Sequence, residues 1–129
     1  MYYTDKYLKL NDAQFLRVTG LKKHQFDALL GLLTDYVKRA WSTRGRQDSK
    51  FSLSDKLLIT LRYLRDYPTF LALGNEFDIS ESYSYKIFTK VSLALVSILK
   101  LPNLHELSLE TIIIDVTEQK TEKPKKNKS

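Results

Sequence analysis

The chain contains no cysteine, which excludes disulfides, thiol nucleophiles and cysteine-held zinc or iron–sulfur sites. Its two histidines, His24 and His105, have no ligand-like neighbours in the sequence, so each reads as a surface residue. Only four glycines are present, none of them in a phosphate-cradling loop, and no serine–histidine arrangement offers nucleophilic chemistry. Long apolar runs are missing too. The longest apolar-rich stretch, residues 91–99, falls far short of the ~20 residues that cross a bilayer. The opening Met1-Tyr2-Tyr3-Thr4-Asp5-Lys6 lacks the apolar centre of a secretory signal. A soluble protein with no membrane partner is expected.

What is present suffices for a core: 43% of the 129 residues are hydrophobic, enough for one compact domain with short tails. The net charge of +6 is compatible with a polyanionic partner but does not name one. Its distribution says more. Residues 1–50 hold ten Lys/Arg against five Asp/Glu, residues 51–100 six against five, and residues 101–129 five against five. The linker 42–50 has no apolar side chain and carries Arg44, Arg46 and Lys50, so it reads as a solvated basic segment.

Apolar spacing between Asn11 and Trp41 predicts two helices. The first is short and ends at Gly20; the second carries Phe26, Leu29, Leu30, Leu33, Val37 and Trp41 at three- and four-residue steps. A third helix is expected to be capped by Ser54, with Asp55 near the positive end of its dipole and Leu57, Leu58, Leu61 and Leu64 as its buried stripe. Pro68 ends it. Thr69 is placed to cap a short helix over 70–77, a tight turn follows at Asp78-Ile79, and Ser80 caps a last helix reaching about Leu99, which makes five. Beyond Pro102 the β-branched run Thr111-Ile112-Ile113-Ile114 reads as a buried strand, and residues 120–129 as a lysine-rich disordered tail.

Residues 69–90 meet most steric requirements of two helices crossing steeply through a short turn. Leu73, Phe77, Ile79 and Ile87 supply the locking contacts, Gly74 the small residue at the close approach, and Asp78 a turn residue that tolerates a left-handed backbone. Ser84 departs from the pattern, because its spacing turns it toward the first helix, where an apolar residue is expected. If the pair reads DNA, the second helix enters the major groove N-terminus first and directs Ser82, Tyr83, Tyr85, Lys86, Thr89 and Lys90 at the duplex, with Thr69 heading the first helix. The competing reading makes Tyr83 and Tyr85 half-buried aromatics and Lys86 and Lys90 a solvated face, as in bundles that never meet nucleic acid.

Residues 53–70, from Leu53-Ser54-Asp55-Lys56 to Tyr67-Pro68-Thr69-Phe70, together with Phe77-Asp78-Ile79-Ser80-Glu81-Ser82, resemble the helix-turn-helix region that opens insertion-sequence-five-type transposases of the DDE superfamily. Residues 15–21 and Gln25-Phe26 echo the same proteins, and residues 112–118 with Pro124-Lys125-Lys126 resemble the start of their catalytic domain. The resemblance covers nearly the whole chain from about residue 14. It implies an all-α domain over residues 1–104, with five helices, a helix-turn-helix and the basic linker 42–50. Residues 105–129 would then hold one β-strand, beginning an incomplete RNase H-like catalytic domain, and the basic tail.

The resemblance further implies binding to double-stranded DNA at the terminal repeats of a mobile element, and strand cutting and joining by three carboxylates that hold two divalent metals, magnesium in the complete transposase. Asp115 matches the first carboxylate; spacing alone would make it the start of a turn. The second and third carboxylates belong further along the nuclease fold, and Glu118 and Glu122 cannot replace them. No cofactor is expected in this chain itself, and no catalysis by it. Phosphate contacts are expected from Arg44, Arg46, Lys50, Lys86 and Lys90. The expected setting is the bacterial cytoplasm, at the nucleoid. Two other readings remain: a protein-interaction fragment that modulates a full-length transposase, and a nuclease, which lacks the ligands it would need. The Lys125-Lys126-Asn127-Lys128 ending is what an adenine-rich slippery stretch would encode, so translational frameshifting or an ancient frame-breaking mutation is expected to separate the chain from its catalytic remainder, and in the first case a downstream-frame transposase product is a further expected partner.

Overall fold

A computed structural model describes the backbone of residues 2–40 and 51–128 and the side chains of residues 4–40 and 51–118. The described residues form seven α-helices, in order α1 (Tyr2–Leu8), α2 (Asp12–Thr19), α3 (Lys23–Ala40), α4 (Leu53–Asp66), α5 (Phe70–Phe77), α6 (Glu81–Ile98) and α7 (Leu109–Lys128), with a 3-10 turn at Leu104–Glu106. The described residues contain no strand.

Helix α4 is the hub. Leu57, Leu58, Ile59 and Leu61 are all fully buried, and so are Asp55 and Thr60, so neighbours cover this helix on most sides although it also carries polar residues. It touches α1, α2, α3, α5, α6 and α7. Phe15 of α2 meets Phe26 of α3 edge-on at 5.6 Å, and Leu29 and Leu33 complete the buried stripe of α3, with Leu30 and Val37 at its margin. Trp41 and the linker 42–50 lie outside the described residues.

The helix ends follow from local chemistry. Asn11 and Gln14 form a reciprocal capping box at the head of α2. Gly20 ends that helix in the left-handed region (φ 85°), the conformation that favours glycine, and the end of the Leu109 side chain of α7 packs over it. The last carbonyls of α2 are capped from α4: Arg62 Nη1 donates to Val18 O (2.8 Å) and Arg65 Nε to Arg17 O (3.0 Å).

Several expectations need correcting. Ser52, not Ser54, caps α4: Ser52 has the extended backbone of a cap, and its Oγ accepts from Asp55 N, whereas Ser54 already lies in the first turn. Asp55 does more than complement the dipole. Fully buried, its Oδ1 accepts from both Thr4 N (2.8 Å) and Thr4 Oγ1 (2.6 Å), which fastens α1 to α4. Helix α1 is therefore a sixth helix before residue 100, held by contacts that no periodic stripe announces.

The larger correction concerns residues 111–114, which are helical. Ser108 Oγ accepts from Thr111 N, and α7 buries Ile112 and Val116, one turn apart, against the core beside α3 and α4. Ile114, which a strand would place on the face of Ile112, is 61% exposed. A lone strand would leave its backbone amides and carbonyls without partners, whereas a helix satisfies them within the segment. The backbone also stays helical to Lys128 through the stretch expected to lack structure, Pro124 included.

Candidate nucleic-acid interface

The α5–α6 pair is built by caps at both heads and a tight crossing between them. Thr69 Oγ1 accepts from Ala72 N (3.0 Å) to start α5, and Ser80 Oγ accepts from Tyr83 N (3.1 Å) to start α6. Between them Asp78 adopts φ 59°, ψ 46°, and Ile79 N donates to Gly74 O (2.8 Å). A Cβ at Gly74 would stand 2.5 Å from Ile79 O, 3.1 Å from Ser84 Oγ and 3.2 Å from Ser80 O, so the two helices meet where only glycine fits. This explains Ser84. It is fully buried facing Gly74, where a larger side chain has no room, and its hydroxyl is satisfied by donating to Ser80 O (3.0 Å). Leu73, Phe77 and Ile87 are buried as the spacing predicts, and Ile79 is half-buried.

The pair is fixed to the rest of the molecule mainly through α6, which packs on α3 and α4, and α5 adds a polar tie. Arg62 Nε lies 3.2 Å from Glu76 Oε2 and its Nη1 2.9 Å from Asp66 Oδ2, while Tyr7 donates its hydroxyl to Glu76 Oε2 (2.7 Å). Burial and the Glu76 carboxylate push the Tyr7 phenol up to about 12, and Glu76 and Asp66 hold Arg62 charged against the cost of its burial. Residues of α1 and α4 thus converge on Glu76 of α5.

The sequence-predicted DNA contacts separate on this frame. Ser82, Tyr85, Lys86 and Lys90 lie exposed on the outer face of α6, opposite buried Ser84, Ile87 and Val91. Thr89 is half-buried, and Thr69 is exposed at the head of α5. Tyr83 is half-buried with its ring 6.2 Å from that of Phe51, which leaves it at the margin of that face. Arg44, Arg46 and Lys50 fall outside the described residues.

Sequence reasoning missed an aromatic cluster under the outer face. Phe70 stacks on Tyr63 (4.7 Å, 4°), Tyr63 leans on Phe88 (4.5 Å), and Tyr85 stands edge-on to Phe70 (5.3 Å, 87°). These rings come from three helices, so no spacing rule along the chain reveals them.

The resemblance-implied carboxylate, Asp115, is half-buried in the middle of α7 rather than at a strand end. Among the described residues no three His, Asp or Glu side chains stand close enough to hold a metal ion, so the residues present do not fit a two-metal centre. His24 and His105 are both exposed. No helix among the described residues is long and apolar enough to cross a membrane.

Comparison with known proteins agrees with this geometry. Residues 49–100 match the family described as the helix-turn-helix of DDE superfamily endonuclease. Over these residues the chain is similar to the helix-turn-helix of that family. It is 29% identical over 130 residues to a probable transposase for insertion sequence element IS702 of Microchaete diplosiphon, in an alignment covering 95% of this chain and 46% of that protein. The chain thus spans about half the length of the curated relative it matches. No solved structure matches it.

Proposed function

We propose that this chain is the DNA-binding, N-terminal part of a transposase that recognises the ends of an insertion sequence and is catalytically incomplete alone. The observation that carries the reading is the outer face of α6: Ser82, Tyr85 and Lys86 project from a helix whose opposite side is locked onto α5. In this reading α6 enters the major groove N-terminus first, Thr89 and Lys90 follow the groove wall, and Thr69 approaches the backbone. Arg44, Arg46 and Lys50 add phosphate contacts, which position without specifying. Tyr83 serves at the margin. Asp115 becomes the first carboxylate only in a completed catalytic domain, where magnesium would be held, and the downstream-frame product would supply the remaining carboxylates. The setting is the cytoplasm, at the nucleoid.

Replacing Tyr85 and Lys86 together with Ala tests the reading. Discrimination between the element's end sequence and random duplex falls while helical content holds, as measured by competition binding and circular dichroism. Cooperative loss of folding in the double variant would show that this face is core instead.

A second reading draws on the exposed Leu93 of α6 and Ile114 of α7. Apolar side chains displayed on two helices suit a fragment that pairs with a full-length transposase and modulates it. Capture of the longer transposase by the immobilised chain, lost on Leu93→Asp, would favour it.

A further inference from the structure

A side chain that reads base edges must be accessible and already aimed, since an unbraced ring gives up rotamer freedom on contact. Tyr85 meets both conditions. It is 55% exposed, and its ring rests edge-on against Phe70, which is itself stacked flat on Tyr63. Tyr63 in turn leans on Phe88 of α6, one turn beyond Tyr85, so the series of rings starts and ends on the same helix. Ser82 and Lys86 flank Tyr85 on the outer face and are suited to polar edges and phosphates, while its ring presents an apolar surface between them. Along the floor of the major groove thymine alone displays an apolar group, its 5-methyl.

We propose that Tyr85 reads thymine by packing its ring against the 5-methyl group in the major groove. The assignment rests on the reading of α6 as the groove-entering helix. It adds to that reading the base and the atom recognised.

The test starts by selecting duplexes from a random-sequence pool with the full chain. Each thymine of the selected sequence is then replaced singly by deoxyuridine, which removes the methyl and nothing else. One position should lose about fourfold in affinity, the value of burying one methyl-sized group. That penalty should vanish in Tyr85→Ala and persist in Tyr85→Phe, which keeps the ring. A selected sequence that tolerates uracil everywhere, or a penalty that survives Tyr85→Ala, overturns the assignment and leaves the DNA-binding reading intact. Binding with no sequence preference does the same, and a chain that binds no duplex overturns both. The uracil scan needs only the unaltered chain, so it decides the methyl contact even if Tyr85→Ala fails to fold.

Discussion

The α5–α6 pair and the docking of α7 are held by different means. Between α5 and α6 the backbone itself is in contact: Gly74 faces Ile79 O and Ser80 O with no room for a methyl group, and a buried hydroxyl, Ser84, fills the remaining space. Helix α7 is attached by side chains, chiefly Ile112 and Val116 in the core, with Leu109 over Gly20 at its head. Backbone contact leaves almost no latitude in residue size. Side-chain docking depends on buried area and has no comparable limit at the exposed positions between. The region proposed to meet DNA is therefore the rigid one, as a groove-reading helix requires.

Truncation of α7 should give the largest effects. Ile112→Ala is expected to cost about 2–5 kcal/mol in urea unfolding, while Ile114→Ala costs under about 0.5 kcal/mol. A strand would place both on one face, so equal costs would overturn the helical packing of this segment.

At Gly74 the sign is the test. Helix propensity alone would make Gly74→Ala stabilising by about 1 kcal/mol, but the 2.5 Å approach to Ile79 O should make it destabilising by about 1–3 kcal/mol. A stabilised variant would mean that the pair is not in backbone contact. Ser84→Ala should cost less, about 0.5–1.5 kcal/mol, since Ser80 O keeps its bond from Ser84 N when the hydroxyl is gone.

The smallest effect is electrostatic and lies outside both regions. Burial opposes ionisation of Asp55, but hydrogen bonds, those from the Thr4 hydroxyl and amide among them, hold its carboxyl below the ordinary carboxylate value. A lowered folded-state pKa stabilises above the unfolded value and is lost as pH falls through the folded one. Stability should thus decline on acidification below the usual aspartate range, and Asp55→Asn should flatten that decline. An unchanged pH profile in Asp55→Asn would remove this carboxylate from the acid response.

How far each region could be read in advance follows from the same contrast. Thr69, Gly74, Asp78 and Ser80 are residues whose local chemistry and packing agree, so the pair was legible from its order of residue types alone. The β-branched stretch of α7 points locally to a strand, yet that preference spans only about 1 kcal/mol and depends on context, while burying Ile112 and Val116 on a ready core is worth about 1.5–3 kcal/mol each. Helix α1 rests on a partner 51 residues away, Thr4 on Asp55, and the Tyr63–Phe70–Tyr85 cluster draws its rings from three successive helices, so no periodicity within one helix encodes either.

The proposed role of α6 is tested most directly by duplex binding as a function of salt, measured by fluorescence anisotropy for the chain and for the Lys86→Ala/Lys90→Ala variant. Log affinity should fall linearly with log salt, and the double variant should lower the slope by about 1.8, because each phosphate contact contributes about 0.9. Affinity that stays flat between low and physiological salt, or a slope untouched by the two substitutions, would contradict the placement of this face against DNA.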